Sequence, residues 1–208
     1  MDFSSVWNIG TLVVSGISAL GGGAIGMFVR GIDARRKLAE LNRELEQARE
    51  EAQRRHATAV RAARGAAFGL EGFAHACHAL VVENARARRA GEPLTFELPE
   101  LARRVQTGNS PEALELESAY RDLEQRVRSA NEHVEEVCRD DYHAGHEEGL
   151  DVLEARAFET AAEALKLAAR YRHRFGVARG PLGRREQLIE DEIMARAAEE
   201  DAALPGDH

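Results

Sequence analysis

The chain has 208 residues, of which 31% are charged and only 5% aromatic, so it fits one modest, largely helical domain with additions. Its net charge of −8 is unevenly spread: residues 30–66 hold ten Arg and Lys against six Asp and Glu, and the rest is acidic. The acidic remainder excludes broad nucleic-acid binding, which needs a basic face, and two cysteines exclude a disulfide framework.

From Phe3 to Met27, Phe28 and Val29, 27 consecutive positions carry no charge. About 20 suffice to cross the hydrocarbon core of a bilayer. Phe3 and Trp7 lie near one end of the run and Phe28 near the other, as interfacial aromatics do. Arg30, Arg35, Arg36 and Lys37 follow on one side only, a basic collar suited to anionic headgroups. The positive-inside rule then places the N-terminus outside and the bulk of the chain in the cytoplasm, at an inner (cytoplasmic) membrane. A cleaved signal peptide fits poorly, because the run is long and no basic segment precedes it.

Gly21, Gly23 and Gly26 also spell G-x-G-x-x-G. That loop cradles a dinucleotide only between a strand and a helix, with a second strand and an acid further on. Here a long charged helix follows, so no cofactor is expected. Ser18, Gly22 and Gly26 recur every fourth residue, a small-residue row that lets membrane helices approach closely. Asn8, Thr11, Ser15 and Ser18 share one face, which would line a lumen in a pore or join a helix contact in a passive tether.

Residues 32–59 read as a helical stalk with a thin coiled-coil-like seam of Leu38, Leu41, Leu45, Ala48 and Ala52. The seam is too short and Ala-rich to hold a dimer alone. A second register begins at Val60 and continues through Ala63, Ala67, Leu70, Ala74, Cys77 and Val81, ending near Arg89 before Gly91 and Pro93. Residues 90–110 form a connection, with one helical turn expected after Pro99. Ser110, Pro111 and Glu112 are a strong helix start.

The following helix repeats Leu116, Tyr120, Leu123, Val127, Ala130, Val134 and Val137, and should break near Gly145 and Gly149. Another carries Leu150, Leu153, Ala157, Phe158, Ala161, Leu165, Ala168, Tyr171 and Phe175, with Gly176, Gly180, Pro181 and Gly183 stopping it. A last short helix at about 184–199 precedes an acidic tail. The expected class is all-α: a transmembrane segment (1–31), a stalk (32–59), an antiparallel bundle (60–178) and a short helix with tail (179–208). The stalk or a second subunit is expected to supply the bundle's fourth helix.

Reactive side chains are densest in "CRDDYHAGHEEG", with Cys138, Asp140, Asp141, His143, His146, Glu147 and Glu148, and again in "HACH", with His75 and His78. The chain lacks any Glu-x-x-His, of which a di-metal bundle site needs two, so no metal is expected. Arg128-Ser-Ala-Asn-Glu-His133 resembles the Arg-(four to six residues)-His motif of the HEPN superfamily of helical ribonucleases. The resemblance implies histidine for proton transfer and arginine for phosphate charge. With 26 Arg and 8 His the chain matches that motif four times, and residues five apart point about 140° apart on a straight helix.

The expected function is therefore a membrane-anchored scaffold, accessory subunit or membrane-active effector, not an enzyme. It would associate with further copies of itself in the bilayer and with a cytoplasmic protein. An anchored HEPN-like ribonuclease is the alternative. Arg outnumbers Lys 26 to 2, a coding bias suggesting a bacterium or phage.

Overall fold

The computed structural model describes the backbone of residues 6–102, 106–140 and 145–203, and the side chains of residues 35–102, 106–139 and 147–199. Four helices and no strand occur among the described residues: α1 (Val6–Ala90), α2 (Pro111–Asp140), α3 (Gly145–Phe175) and α4 (Arg184–Ala203). The chain divides into two compact units, Met1–Arg54 and Arg55–His208.

In the first unit, the described side chains from Arg35 onward are all exposed, including Leu38, Leu41 and Leu45. α1 is long and apolar enough to span a membrane. Its described apolar segment of that kind is Arg35–Ala90. The apolar text of that segment includes the seam from Ala63 to Cys77, which the second unit buries, and it contains Glu71.

The second unit has bundle-like helix packing, and its core follows the periodicities closely. On α1, Ala63, Ala67, Leu70, Ala74 and Cys77 have no exposed surface. Leu116, Tyr120, Leu123, Val127, Ala130 and Val134 on α2 are buried, as are Leu153, Ala157, Phe158, Ala161, Ala168 and Tyr171 on α3. Alanines are frequent among them, so the backbones approach closely and dispersion between near-touching helices replaces bulky interdigitation. Between α2 and α3 the ion pairs Glu112–Arg174, Glu115–Arg170 and Glu163–Arg126 step in opposite directions along the two helices.

α4 adds a further apolar surface to this core. Ile193 is fully buried and Ala197 nearly so. The Arg196 guanidinium lies 5.8 Å from the Phe158 ring centre of α3, a cation–π contact. Helix α4 continues to Ala203, beyond the expected end near residue 199; residues 204–208 lie outside the described part.

Local chemistry sets the helix ends. α1 stops at Gly91, which holds φ at +67°, while the Glu92 amide donates to the Ala87 carbonyl at 2.9 Å. α3 ends the same way at Gly176 (φ +61°), with the Val177 amide on the Arg172 carbonyl at 2.9 Å and Val177 tucked into the core. Both are Schellman motifs, in which glycine accepts a left-handed backbone at no steric cost. Ser110 caps α2 by accepting from the Ala113 amide at 3.2 Å. Glu112 is held below the usual carboxylate range, first by its own backbone amide, then by Ser110 and Arg174. Gly183 donates its amide to Glu186 at 2.8 Å, half of a capping box opening α4.

Two expectations fail for identifiable reasons. Residues 91–102 form no helical turn at Pro99. Their backbone groups are satisfied from outside: Asn84 exchanges two hydrogen bonds with Thr95 (2.7 and 3.0 Å), and Asn131 accepts from the Leu98 amide at 2.8 Å. Nearby, the Tyr120 hydroxyl donates to the Ala102 carbonyl, and buried Glu117 accepts from the Thr107 amide at 3.2 Å. Gly149, expected as a helix breaker, instead lies inside α3. A Cβ there would come within 2.4 Å of the Cys138 sulfur, so the glycine serves close packing of α3 on α2.

Candidate functional site

The residues expected to meet a bilayer come first in the chain. The backbone at Ser18, Gly22, Gly26 and Arg30 belongs to helix α1, and their side chains lie outside the described residues. Arg35, Arg36 and Lys37 are exposed on the same helix. These three carry the described part of the basic collar.

Within the second unit, the most organised polar cluster joins α1, α3, the 176–183 turn and α4. Glu71 receives Arg172 side-on, with both nitrogen–oxygen distances at 2.8 Å. Arg179 bridges onward, 3.1 Å from Glu71 and in a two-point pairing with Glu190. Glu190 also meets His75 at 3.1 Å, and Arg172 donates to the Ala178 carbonyl at 3.0 Å. The Glu71, Glu190 and Arg172 side chains are each 13–14% exposed.

This chain of groups has two carboxylates and two guanidiniums, every carboxylate oxygen engaged. Arg179 is held above its ordinary range, mainly by the Glu190 hydrogen bond with Glu71 adding to it. Such an arrangement commits both carboxylates to guanidiniums and clamps α4 and the preceding turn onto α1. One signal for it was legible. Glu71 is the lone acid in the apolar text "GAAFGLEGFAHACHALVV", and a carboxylate at the edge of a core requires cations. Arg172, Arg179 and Glu190 carried no comparable signal, being three among many charges on polar text.

The histidines of "HACH" are not brought together on a common ligand. His75 pairs with Glu190, and His78 separately with Glu192 at 3.1 Å. Cys77 between them is buried, and burial pushes its thiol up to about 12, with a Thr160 hydrogen bond acting in the opposite direction. Among the described residues no three His, Cys, Asp or Glu side chains are placed to hold a metal ion. Of the second cluster, Cys138 is half-buried against Gly149 and Glu147 pairs with Arg88 at 2.6 Å, while Asp140, Asp141, His143 and His146 lie outside the described side chains.

Arg128 and His133 are both exposed on α2. A shallow groove of about 190 Å³ between α2 and α3 is lined by His133 together with Arg126 and Arg156, and Arg128 is not part of it. Arg126 is committed to Glu163, and Arg156 to Glu159 at 2.7 Å. Both arginines of the groove are thus already paired with carboxylates.

Compared with known proteins, the chain matches no family model, no curated protein and no solved structure.

Proposed function

We propose that the protein is a single-pass, membrane-anchored helical protein that works by association, as a scaffold, accessory subunit or membrane-active effector. The observation that carries this reading is the course of α1. Its backbone is helical without interruption from Val6, through the uncharged run, into the collar of Arg30, Arg35, Arg36 and Lys37. An uncharged run of 27 positions, helical from Val6 onward and followed by a basic collar, suits a bilayer crossing with its basic end at anionic headgroups. The N-terminus is then outside and the helical unit cytoplasmic, at the inner membrane.

Association in the bilayer uses the Ser18, Gly22 and Gly26 row, with further copies of the chain and a cytoplasmic protein as partners. Mass measurement of the full chain in mild detergent tests this: a multiple of 22.9 kDa is expected, and a monomer at all concentrations overturns it. The Gly22→Leu/Gly26→Leu variant should lower the multiple. Dye-loaded liposomes then separate effector from tether, since a tether releases no dye at high protein load.

The ribonuclease reading draws on the groove that joins His133 with Arg126 and Arg156. The ion pairs of both arginines oppose it, because phosphate would have to displace Glu163 and Glu159. RNA cleavage abolished by His133→Ala would support it, and cleavage absent from the native chain would end it.

A further inference from the structure

We infer that the exposed segment of α1 from Leu38 to His56 pairs with the same segment of a second copy as a short, parallel, in-register two-stranded coiled coil. Leu38, Leu41 and Leu45 are 59, 55 and 54% exposed, an unusual state for three leucines on one helix face. Ala48 and Ala52 extend the same stripe, and all five occupy alternating a and d positions of a heptad. Spacing alone does not say what covers the stripe. The charges beside it do.

Counting Leu38 as position a puts Glu44 and Glu51 at successive g positions and Arg49 and His56 at the e positions of the following heptads. In a parallel pair each g residue faces the e residue of the partner's next heptad. Glu44 then faces Arg49 of the second copy, and Glu51 faces its His56, twice over by symmetry. An antiparallel pair sets g against g and e against e. With the seams overlapped along their length that would set Glu44 against Glu51 of the second copy and leave Arg49 without a carboxylate, so the pattern favours the parallel pair. Glu44, Arg49 and His56 are all exposed and able to reach across. Arg55 takes the next d position and closes the apolar seam.

The orientation agrees with the anchored reading, and the strength of the pairing rests on it. Three leucines and two alanines make a marginal interface for free helices. Two chains held in one bilayer by parallel N-terminal spans share a raised effective concentration and a common direction, so the same interface becomes populated.

The test uses the full chain in membranes, carrying one added cysteine. Leu41→Cys and Leu45→Cys should form symmetric disulfide dimers on mild oxidation. Arg43→Cys, on the outer face, and the unsubstituted chain with Cys77 and Cys138 should not. Crosslinking of Leu41→Cys no greater than that of Arg43→Cys overturns the inference, as does crosslinking only to a different protein. In the Leu41→Cys background, Glu44→Arg or Arg49→Glu should each lower the dimer fraction about fivefold, and the double exchange should restore it. Failure of that restoration overturns the parallel register. Fractionating the same samples reads the anchor separately. Chain that pellets with membranes but gives no Leu41 dimer refutes the pairing and leaves the anchor standing. Chain found in the soluble fraction refutes the anchor and, with it, the pairing that depends on the anchor for its strength.

Discussion

Helix α1 carries two apolar seams of similar spacing and opposite surroundings. Leu38, Leu41 and Leu45 are more than half exposed, whereas Ala63, Ala67, Leu70, Ala74 and Cys77 are wholly buried. The uncovered seam is the one built of leucines, whereas four of the five residues in the buried seam are Ala or Cys, with Leu70 the exception. Spacing tells which residues share a face, and residue size tells how near a neighbour can come. A small-residue seam draws in helices of its own chain, since only close approach recovers the dispersion energy that alanines can offer. Leucines flanked by complementary charges suit a partner held at coiled-coil distance.

The sharpest way to break this contrast is to shorten one residue from each seam. Leu70→Ala should destabilise the second unit by about 3 kcal/mol through lost burial and a residual cavity. Leu41→Ala should move its urea midpoint by less than the equivalent of about 0.5 kcal/mol. Similar losses for both would mean that the leucine seam is already part of the folded core. The ion pairs offer a smaller version of the comparison. Arg172→Ala strands the nearly buried Glu71 and should cost about 2 kcal/mol, although Arg179 still reaches that carboxylate. Arg170→Ala, which breaks an exposed pair with Glu115, should cost under about 0.5 kcal/mol in the same titration.

A third prediction concerns alkali. Cys77 ionises near 9.0 when exposed and near 12 when folded, so the unfolded chain loses its thiol proton first. The stability it contributes is complete below pH 9 and drains away between pH 9 and 12, by about 1 kcal/mol at pH 10. Tyr120, raised from 10.0 to about 12 by burial and by Glu124, adds to the loss above pH 10. Urea midpoints measured from pH 8 to 10.5 should fall, and Cys77→Ala should flatten the first part of the fall. The smallest effect expected is in labelling: a maleimide should modify half-buried Cys138 in the folded protein well before buried Cys77.

Much of the helical unit could be read from residue order alone, because Leu116 to Val134 keep a helical period and are buried, and on α3 Leu153, Ala157, Phe158, Ala161, Ala168 and Tyr171 are buried as expected while Leu165 is only partly so. Ser110 and Gly91 marked helix ends through capping chemistry that needs no tertiary partner. What could not be read depends on neighbours distant in sequence. Gly149 is a helix breaker by propensity, yet it lies within α3 because Cys138 leaves no room for a side chain. Residues 91–102 stay non-helical, with Asn84 and Asn131 satisfying the backbone of Thr95 and Leu98. α4 has a sparse apolar face, and its docking rests on Ile193 and on Glu190 meeting Arg179 and His75 across the turn. Of the site residues, only Glu71 announced itself, as an acid within apolar text.

The account rests on the uncharged run at the head of α1 crossing a bilayer. Alkaline carbonate extraction of membranes containing the full chain, beside a Val14→Arg/Ile17→Arg variant, tests it most directly. The native chain should remain in the membrane pellet, while the variant moves to the supernatant with its helical unit still folded. Release of the native chain into the supernatant would contradict the anchor.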